Sequence, residues 1–431
     1  MSKSDILQLA KGVRDFSPEE KIAREKIVNI LKNVFEIFGY SPIETPILER
    51  FSLFSFKHVQ GENADILKES FKMTDNGKRK LILRTELTIP LARFIGMNQN
   101  LKMPFKRYQI GQVFRDGPIK LGRYREFWQC DADVVGIKNE IIDAEIIELA
   151  LEAFKKLNLE VEIKINNRKI LNSILDQIKI SKTMQDQVII SIDKLNKIGE
   201  MGVKEELEKR GLLREDINKI LKLINIEGKN NQEKINALKK ILINQEGLLE
   251  IEKTLSYLGN NDNIIFSPNL ARGLAYYTGN VFEIFLKDKN KINCSLAGGG
   301  RYDKMIGNFL ESEKEIPAIG ISFGLETIFD ALEIFQKNNK KTVVEMLFVP
   351  IGEQNIKHGL EIVKKLRNKG YKVDMDYLFR SPSKALKYAN DMNIENVLIF
   401  GDDEKKNNEI CVKNMKTGEQ KNIKIEQFAL K

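Results

Sequence analysis

Two strand-like runs facing each other across a charged loop constrain this chain more than any other feature. FKRYQIGQVF (Phe105 to Phe114) and REFWQCDADVV (Arg125 to Val135) alternate with period two, and the interval between them carries the turn residues Asp116-Gly117-Pro118 and Leu121-Gly122. Runs this long joined by such a loop predict an antiparallel pair inside a sheet. Arg115, Arg123 and Arg125 gather at the loop. Because a guanidinium stays charged and its planar fork fits phosphate oxygens, the loop suits a polyphosphate; a solvated hairpin with charged outward faces is the plainer reading. Along the second run, Gln129, Asp131 and Asp133 fall on one face beside Phe127. That polar face meets either solvent or a ligand, and it must be the ligand face if Trp128, Cys130 and Ala132 pack in a core.

The segments around the hairpin predict an α+β domain. Apolar residues at helical spacing from about Glu20 to Phe38 stop at Gly39, and Tyr40 to Leu48 reads as an extended strand whose prolines belong at an edge or interface. LILRTELT (Leu81 to Thr88) reads as a further strand, followed by helices over about Ile89–Ile95 and Ile141–Leu157. From about Asn167 to Asn263 the chain turns lysine- and glutamate-rich and helix-forming, which predicts a helical module inserted into the sheet domain. Strand character returns at Asn263–Phe266, Asn280–Leu286, Ile292–Leu296 and Ala318–Phe323. Beyond a polar hinge at Asn338–Lys341, strands and helices alternate in βαβαβ order, the signature of a small, largely parallel sheet in a separate domain of roughly ninety residues. The expected domains are therefore 1–166 with 263–337, then 167–262, then 342–431.

Composition narrows the function. No run of about eighteen apolar residues exists, and the first residues are polar, so no membrane span or secretory leader is expected and a cytoplasmic location is. Cys130, Cys294 and Cys411 are widely spaced and lack CxxC pairing, which argues against a disulfide framework or zinc site. A net charge of +9 favours a polyanionic partner such as RNA, or else a solubilising lysine-rich surface.

Three more segments carry dense chemistry. Glu86 and Thr88, at period two, would share a strand face, where a carboxylate and a hydroxyl can hold an ammonium group, unless they form an ordinary exposed face. ARGLAYYTG (Ala271 to Gly279) sets Arg272 before the pair Tyr276-Tyr277, aromatic walls for a heteroaromatic ligand or else core residues. AGGGRYD (Ala297 to Asp303) and GISFGLE (Gly320 to Glu326) hold glycines, Gly300 and Gly324 among them, that let a ligand approach backbone or that form a surface turn. No GxxxxGK[ST] and no GxGxxG after a first strand occurs, so any nucleotide is bound another way.

Taken in order, KGVRDFSPEE, the Pro46 strand, LRTELT, the hairpin FRDGPIKLGRYREFWQCDADVVG, ARGLAYYTG, AGGGRYD and GISFGLE resemble the class II aminoacyl-tRNA synthetases, and specifically the histidyl-tRNA synthetases. The C-terminal block resembles that family's anticodon-binding domain. The resemblance implies activation of L-histidine with ATP, followed by transfer to the 3′ end of tRNA(His), by a homodimer joined through the Pro46 strand. It further implies that Arg115 holds the α-phosphate, Arg123 the distal phosphates, and Arg272 the charge developing on the phosphoryl group, with Gly300 and Gly324 admitting ATP and Mg2+ carried on its phosphates. Glu86, Thr88 and Gln129 would take the α-amino group, and Asp133 and Tyr277, with Tyr276 nearby, the imidazole. Two positions depart from the pattern: Thr327 stands where an arginine usually follows Gly-Leu-Glu, and Ala275 where an acid is common. They keep two alternatives open, a catalytically silent synthetase-like regulator and a sensor of uncharged tRNA. His58 and His358, the only histidines, fall in no motif.

Overall fold

The computed structural model describes residues 6–55, 65–119, 122–272, 276–288, 292, 294–312, 315–335 and 340–428; Ala275 and His58 lie outside them. The chain forms two compact units, Met1–Arg14 with Ile27–Phe335, and Asp15–Lys26 with Gln336–Lys431.

The first unit is built on an eight-stranded sheet. Its strands are β1 (Ser41–Pro42), β5 (Phe105–Phe114), β6 (Glu126–Val135), β7 (Val161–Asn167), β8 (Ile264–Phe266), β9 (Asn280–Leu286), β10 (Ala297–Arg301) and β11 (Ala318–Gly324). They lie side by side as β1-β5-β6-β11-β10-β9-β7-β8. Three short strands, β2 (Leu48–Arg50), β3 (Lys72–Thr74) and β4 (Lys80–Leu83), make a second sheet in the order β2-β4-β3. The expected hairpin is present as β5 and β6, paired antiparallel along ten residues each. Both edges of the large sheet depart from the antiparallel expectation, since β1 runs parallel to β5 and β8 parallel to β7.

Period-two alternation on the central strands sorts the two faces of this sheet. Ile319, Ile321 and Phe323 of β11 are buried, and Phe323 packs between Phe35 and Phe154 with ring centroids 5.7 and 5.6 Å away. Those two rings come from the helices Pro18–Ile37 and Ile141–Lys156, which therefore cover that face. Each phenylalanine so buried stabilises the fold by about 1.5–3 kcal/mol. The opposite face carries the glycines and polar residues and is left for the site.

Several expected strands moved. The run predicted over Leu81–Thr88 stops at Leu83, because Thr88 already opens the helix Thr88–Met97. Tyr40–Leu48 supplies only the edge strand Ser41–Pro42 before the chain enters the small sheet at Leu48. Ile292 and Cys294–Leu296 are not strand; the strand begins at Ala297, so the triple glycine lies within β10 and is no surface turn. The strand Val161–Asn167 was not anticipated, although Val161, Ile163 and Ile165 are buried at period two. The helical segment occurs as expected, from Arg168 to Leu258, and Asn167 caps its first helix by accepting from Lys169 N.

The second unit holds a mixed sheet of β12 (Met346–Pro350), β13 (Val373–Met375), β14 (Asn396–Phe400), β15 (Glu409–Asn414) and β16 (Gln420–Lys424), ordered β13-β12-β14-β15-β16. β12 pairs parallel with β13 and β14, whereas β14, β15 and β16 pair antiparallel. His358 sits on the helix Ile356–Asn368, its ring stacked on Phe400 at 5.3 Å.

Candidate active site

Strand register explains why chemistry gathers on one face. Across the sheet, Arg107 lies opposite Asp133, Asp133 opposite Gly320, and Gly320 opposite Gly300. The next row on the same face runs Gln109, Asp131, Ser322, Gly298 and Glu283. Charged groups thus enter from β5, β6 and β9, and the middle of the floor is glycine. Added side chains there would collide with the site itself. A Cβ on Gly298 would lie 1.8 Å from Nη1 of Arg272, one on Gly320 1.9 Å from Oδ1 of Asp133, and one on Gly300 3.0 Å from the Tyr277 ring.

Two cavities lie over this floor. The larger, about 310 Å³, is lined by Arg115, Arg123, Tyr124, Phe127, Gly324 and Thr327 among others, and the smaller, about 60 Å³, by Glu86, Thr88, Asp131, Asp133, Tyr276 and Tyr277 among others. Arg115, Gln129, Arg272, Gly298 and Ser322 line both, so the two are halves of one site. Every residue assigned from the sequence therefore converges here. Gly300, expected beside ATP, lies instead on the smaller cavity, under Tyr277. Of the hairpin arginines, Arg125 serves structure, paired with Asp116 at 3.0 Å.

Local contacts set each group. Glu86 and Thr88 reach the small cavity through the start of a helix, not along a strand, and Oε1 of Glu86 accepts from Ile89 N at 3.2 Å. Nε of Arg115 donates to the Thr85 carbonyl at 3.0 Å, and its guanidinium lies 5.1 Å from the centre of the Phe127 ring. Gln129 donates to Ser322 Oγ at 2.7 Å, which leaves its buried Oε1 without a hydrogen-bond partner among the described residues and able to accept an ammonium hydrogen. Arg272 lies 5.5 Å from the Tyr277 ring centre and 3.5 Å from Glu283. Thr327 is buried at 8% exposure, its hydroxyl donating to the Gly324 carbonyl at 2.9 Å. The threonine is thus satisfied within its own turn.

Sequence reasoning missed Arg107, Tyr302, Ser322 and Glu283. Arg107 could have been found from the hairpin's own register, opposite Asp133, and Ser322 by carrying that register one strand further, since same-face residues of neighbouring strands meet. Glu283 required knowing that β9 lies beside β10.

Burial dominates the acid–base behaviour. Glu86, 4% exposed, has its pKa pushed up to about 7 by burial, although Arg115 and Arg272 pull it back. Burial also raises Asp131 and Asp133, against the opposing pull of Arg107. For Glu86 the consequence is a stability term. A carboxyl that is harder to ionise when folded contributes fully below its unfolded value near 4.5 and loses that contribution as pH rises to about 7. Above pH 7 the ionised side chain costs up to about 3 kcal/mol. In the absence of ligands, Glu86→Gln should therefore gain stability relative to the unsubstituted protein between pH 5 and pH 8. Denaturant titrations at the two pH values check this; an unchanged difference would refute it.

Comparison with known proteins agrees with this geometry. The histidyl-tRNA synthetase family matches residues 12–328, which include all residues of both cavities, and the anticodon binding domain family matches residues 345–431. The chain is 42% identical over 425 residues to histidine–tRNA ligase 1 of Bacillus cereus, covering 97% of this chain and 98% of that one. It is 38% identical over 444 residues to the histidine–tRNA ligase of Phocaeicola vulgatus, covering 96% of each. The crystal structure of histidyl-tRNA synthetase from Nostoc sp. PCC 7120 superposes with a TM-score of 0.83 at 29% identity, covering 98% of both chains. Motif order, the two-part cavity and full-length similarity meet in one conclusion: the chain belongs to the histidyl-tRNA synthetase family, whose enzymes are ATP-dependent histidine–tRNA ligases.

Proposed function

We propose that L-histidine occupies the smaller cavity and ATP the larger, and that Arg115 and Arg272 act where the two meet. The observation that carries this is that Arg115, Gln129 and Arg272 line both cavities; two cations at that junction would meet a histidine carboxylate approaching the α-phosphorus. Bringing two anions together needs positive charge and alignment more than proton transfer. The carboxylate attacks the α-phosphorus and pyrophosphate leaves; a hydroxyl of the terminal ribose of tRNA(His) then attacks the histidyl carbonyl, the acyl–phosphate bond breaks, and AMP and a proton are released. Arg123 takes the distal phosphates, and Phe127 offers a flat wall for the base. Glu86, Thr88 and Oε1 of Gln129 take the α-ammonium. Asp133, with Tyr276 and Tyr277, takes the ring, and a buried acceptor of this kind is left unpaired by a side chain lacking the matching N–H.

Magnesium enters as part of the substrate. Among the described residues no group of three or more His, Cys, Asp or Glu is placed to hold a metal, whereas Glu69 and Glu326 line the larger cavity as oxygen donors suited to an ion carried on phosphates. When bound, the ion supplies charge neutralisation at the phosphate oxygens. The edge strand Ser41–Pro42, followed by Ile47 and Leu48 at 39% and 44% exposure, supports a homodimer formed along this edge. No helix among the described residues is long and apolar enough to cross a membrane, in keeping with a cytoplasmic enzyme. The division of labour follows the domains 1–166 with 263–337 for adenylate formation, 167–262 as a helical insertion, and 342–431 for the tRNA.

One experiment tests both parts. The full chain should catalyse histidine-dependent exchange of pyrophosphate into ATP, and no exchange would favour the silent regulator or the tRNA sensor. A chain ending at residue 340 should keep exchange but lose tRNA charging by about 100-fold or more, as expected when one of two linked contacts is removed. Equal losses in the two steps would contradict that division.

A further inference from the structure

We infer that Arg107 and Tyr302 are positioning residues that fix the carboxylate of Asp133 and thereby set recognition of the histidine ring. This rests on the proposal that Asp133 reads that ring. Asp133 is 2% exposed, with Oδ1 held by a hydrogen bond and Oδ2 by an ion pair, Oδ2 having no hydrogen-bond partner of its own among the described residues. Tyr302 Oη donates to Oδ1 at 2.5 Å, and Nη2 of Arg107 lies 2.7 Å from Oδ2. Arg107 is fully buried at 0% exposure, so it cannot touch a ligand and must act through its neighbours. Tyr302 lines the small cavity, but its hydroxyl hydrogen is committed to Asp133.

The register makes this clamp possible. Asp133 stands on β6 and Tyr302 just beyond β10, with β11 between them. The carboxylate crosses that strand at Gly320, where any Cβ would strike it. Arg107 does a second thing with the same nitrogen, donating to the Leu87 carbonyl at 3.4 Å. Leu87 sits between Glu86 and Thr88, the residues proposed for the α-ammonium. One guanidinium therefore ties the ring-reading acid to the ammonium-reading turn, which fixes the distance between the two ends of the amino acid. A short side chain such as Asp133 reaches the ligand only from one position, and a carboxylate free to rotate would give up much of its directional hydrogen bonding.

Tyr302→Phe keeps the ring and its edge contact with Tyr276, at 6.1 Å between centroids, and removes only the hydroxyl. It should raise the KM for histidine in pyrophosphate exchange by about 10- to 100-fold, the usual effect of one hydrogen bond to a charged group. The KM for ATP should stay within about twofold, since Tyr302 does not line the larger cavity. A merely structural defect would lower the active fraction, and so kcat, while leaving the histidine KM in place. Arg107→Lys should recover part of the affinity lost in Arg107→Met, because it restores the charge but not the position of Nη2, the one nitrogen that makes both contacts. The decisive comparison is a double-mutant cycle with Asp133→Asn. If Asp133→Asn leaves the histidine KM unchanged, the reading of Asp133 itself fails. If Asp133→Asn is impaired but Tyr302→Phe is not, or if Tyr302→Phe costs as much in the Asp133→Asn background as alone, the clamp is refuted and the reading of Asp133 stands. A Tyr302→Phe effect that vanishes in that background supports the clamp.

Discussion

Arg272→Ala is expected to lower histidine-dependent pyrophosphate exchange by about 100- to 1,000-fold, the usual consequence of removing one preorganised charge donor from a reaction centre. Arg272 lines both cavities, rests directly over Gly298, and is held between the Tyr277 ring and Glu283. These contacts fix its direction in the absence of substrates, so the proposed role would need no reorganisation as charge builds on the phosphoryl group. Arg272→Lys should fare little better, since an ammonium cannot span two oxygens in the manner of a planar fork. Gly298→Ala offers a control that leaves the charge in place: its methyl would displace the guanidinium and should reproduce much of the defect. Single-turnover measurements with saturating histidine and ATP locate the loss in chemistry. A loss of less than about tenfold for Arg272→Ala would remove this residue from its proposed role.

The largest stability effect is expected at Asp143. Its carboxylate is fully buried and pairs with Arg301, whose Nε also donates to it at 3.3 Å, and it accepts from Asn280 Nδ2 at 3.0 Å. Asn280 in turn donates to Thr254 Oγ1 at 2.9 Å and accepts from Asn167, which reaches Glu250 at 2.7 Å. Asp143→Ala leaves Arg301, 6% exposed, as a buried charge whose remaining ion pair is with Asp303 at 3.3 Å. The cost should be about 3–5 kcal/mol. Asp143→Leu combined with Arg301→Met should recover a good part of it, because the penalty comes from the orphaned charge more than from the lost attraction. Denaturant midpoints of the transition that unfolds the unit with the eight-stranded sheet, followed by Trp128 fluorescence, report both values; equal destabilisation by the single and double variants would contradict this account.

How much of this was legible in the sequence depended on range. The hairpin could be read because alternation and turn residues are local, and the triple glycine stood out because three such residues in a row need a reason. Its reading as a strand was harder, since Gly298, Gly299 and Gly300 have no side chains to alternate and β10 owes its pairing to β9 and β11. Glu86 and Thr88 were placed on the site for the wrong local reason. Their spacing fits a strand, but Pro90 and the following apolar run favour a helix that begins at Thr88, and the carboxylate then serves that helix's N-terminus. Assignment of Glu86, Thr88, Gln129, Asp133 and Tyr277 to histidine came from family resemblance, which had absorbed the long-range packing that no local pattern displays. Arg107 shows what neither route supplied. It touches no substrate, so no motif marks it, and it looks like one more charged strand residue until β5 is laid against β6.

The glycine floor at Gly298, Gly300, Gly320 and Gly324 also bears on inhibition. A compound lying flat against it would contact backbone atoms, and a point mutation at Gly298, Gly300 or Gly320 introduces a Cβ that crowds Arg272, the Tyr277 ring or Asp133, which would disturb the proposed substrate sites as well as the compound. Escape would have to arise at other residues that line the larger cavity, such as Tyr124 and Cys294. Inhibitors anchored on the floor and sparing of those residues would leave the fewest routes to resistance.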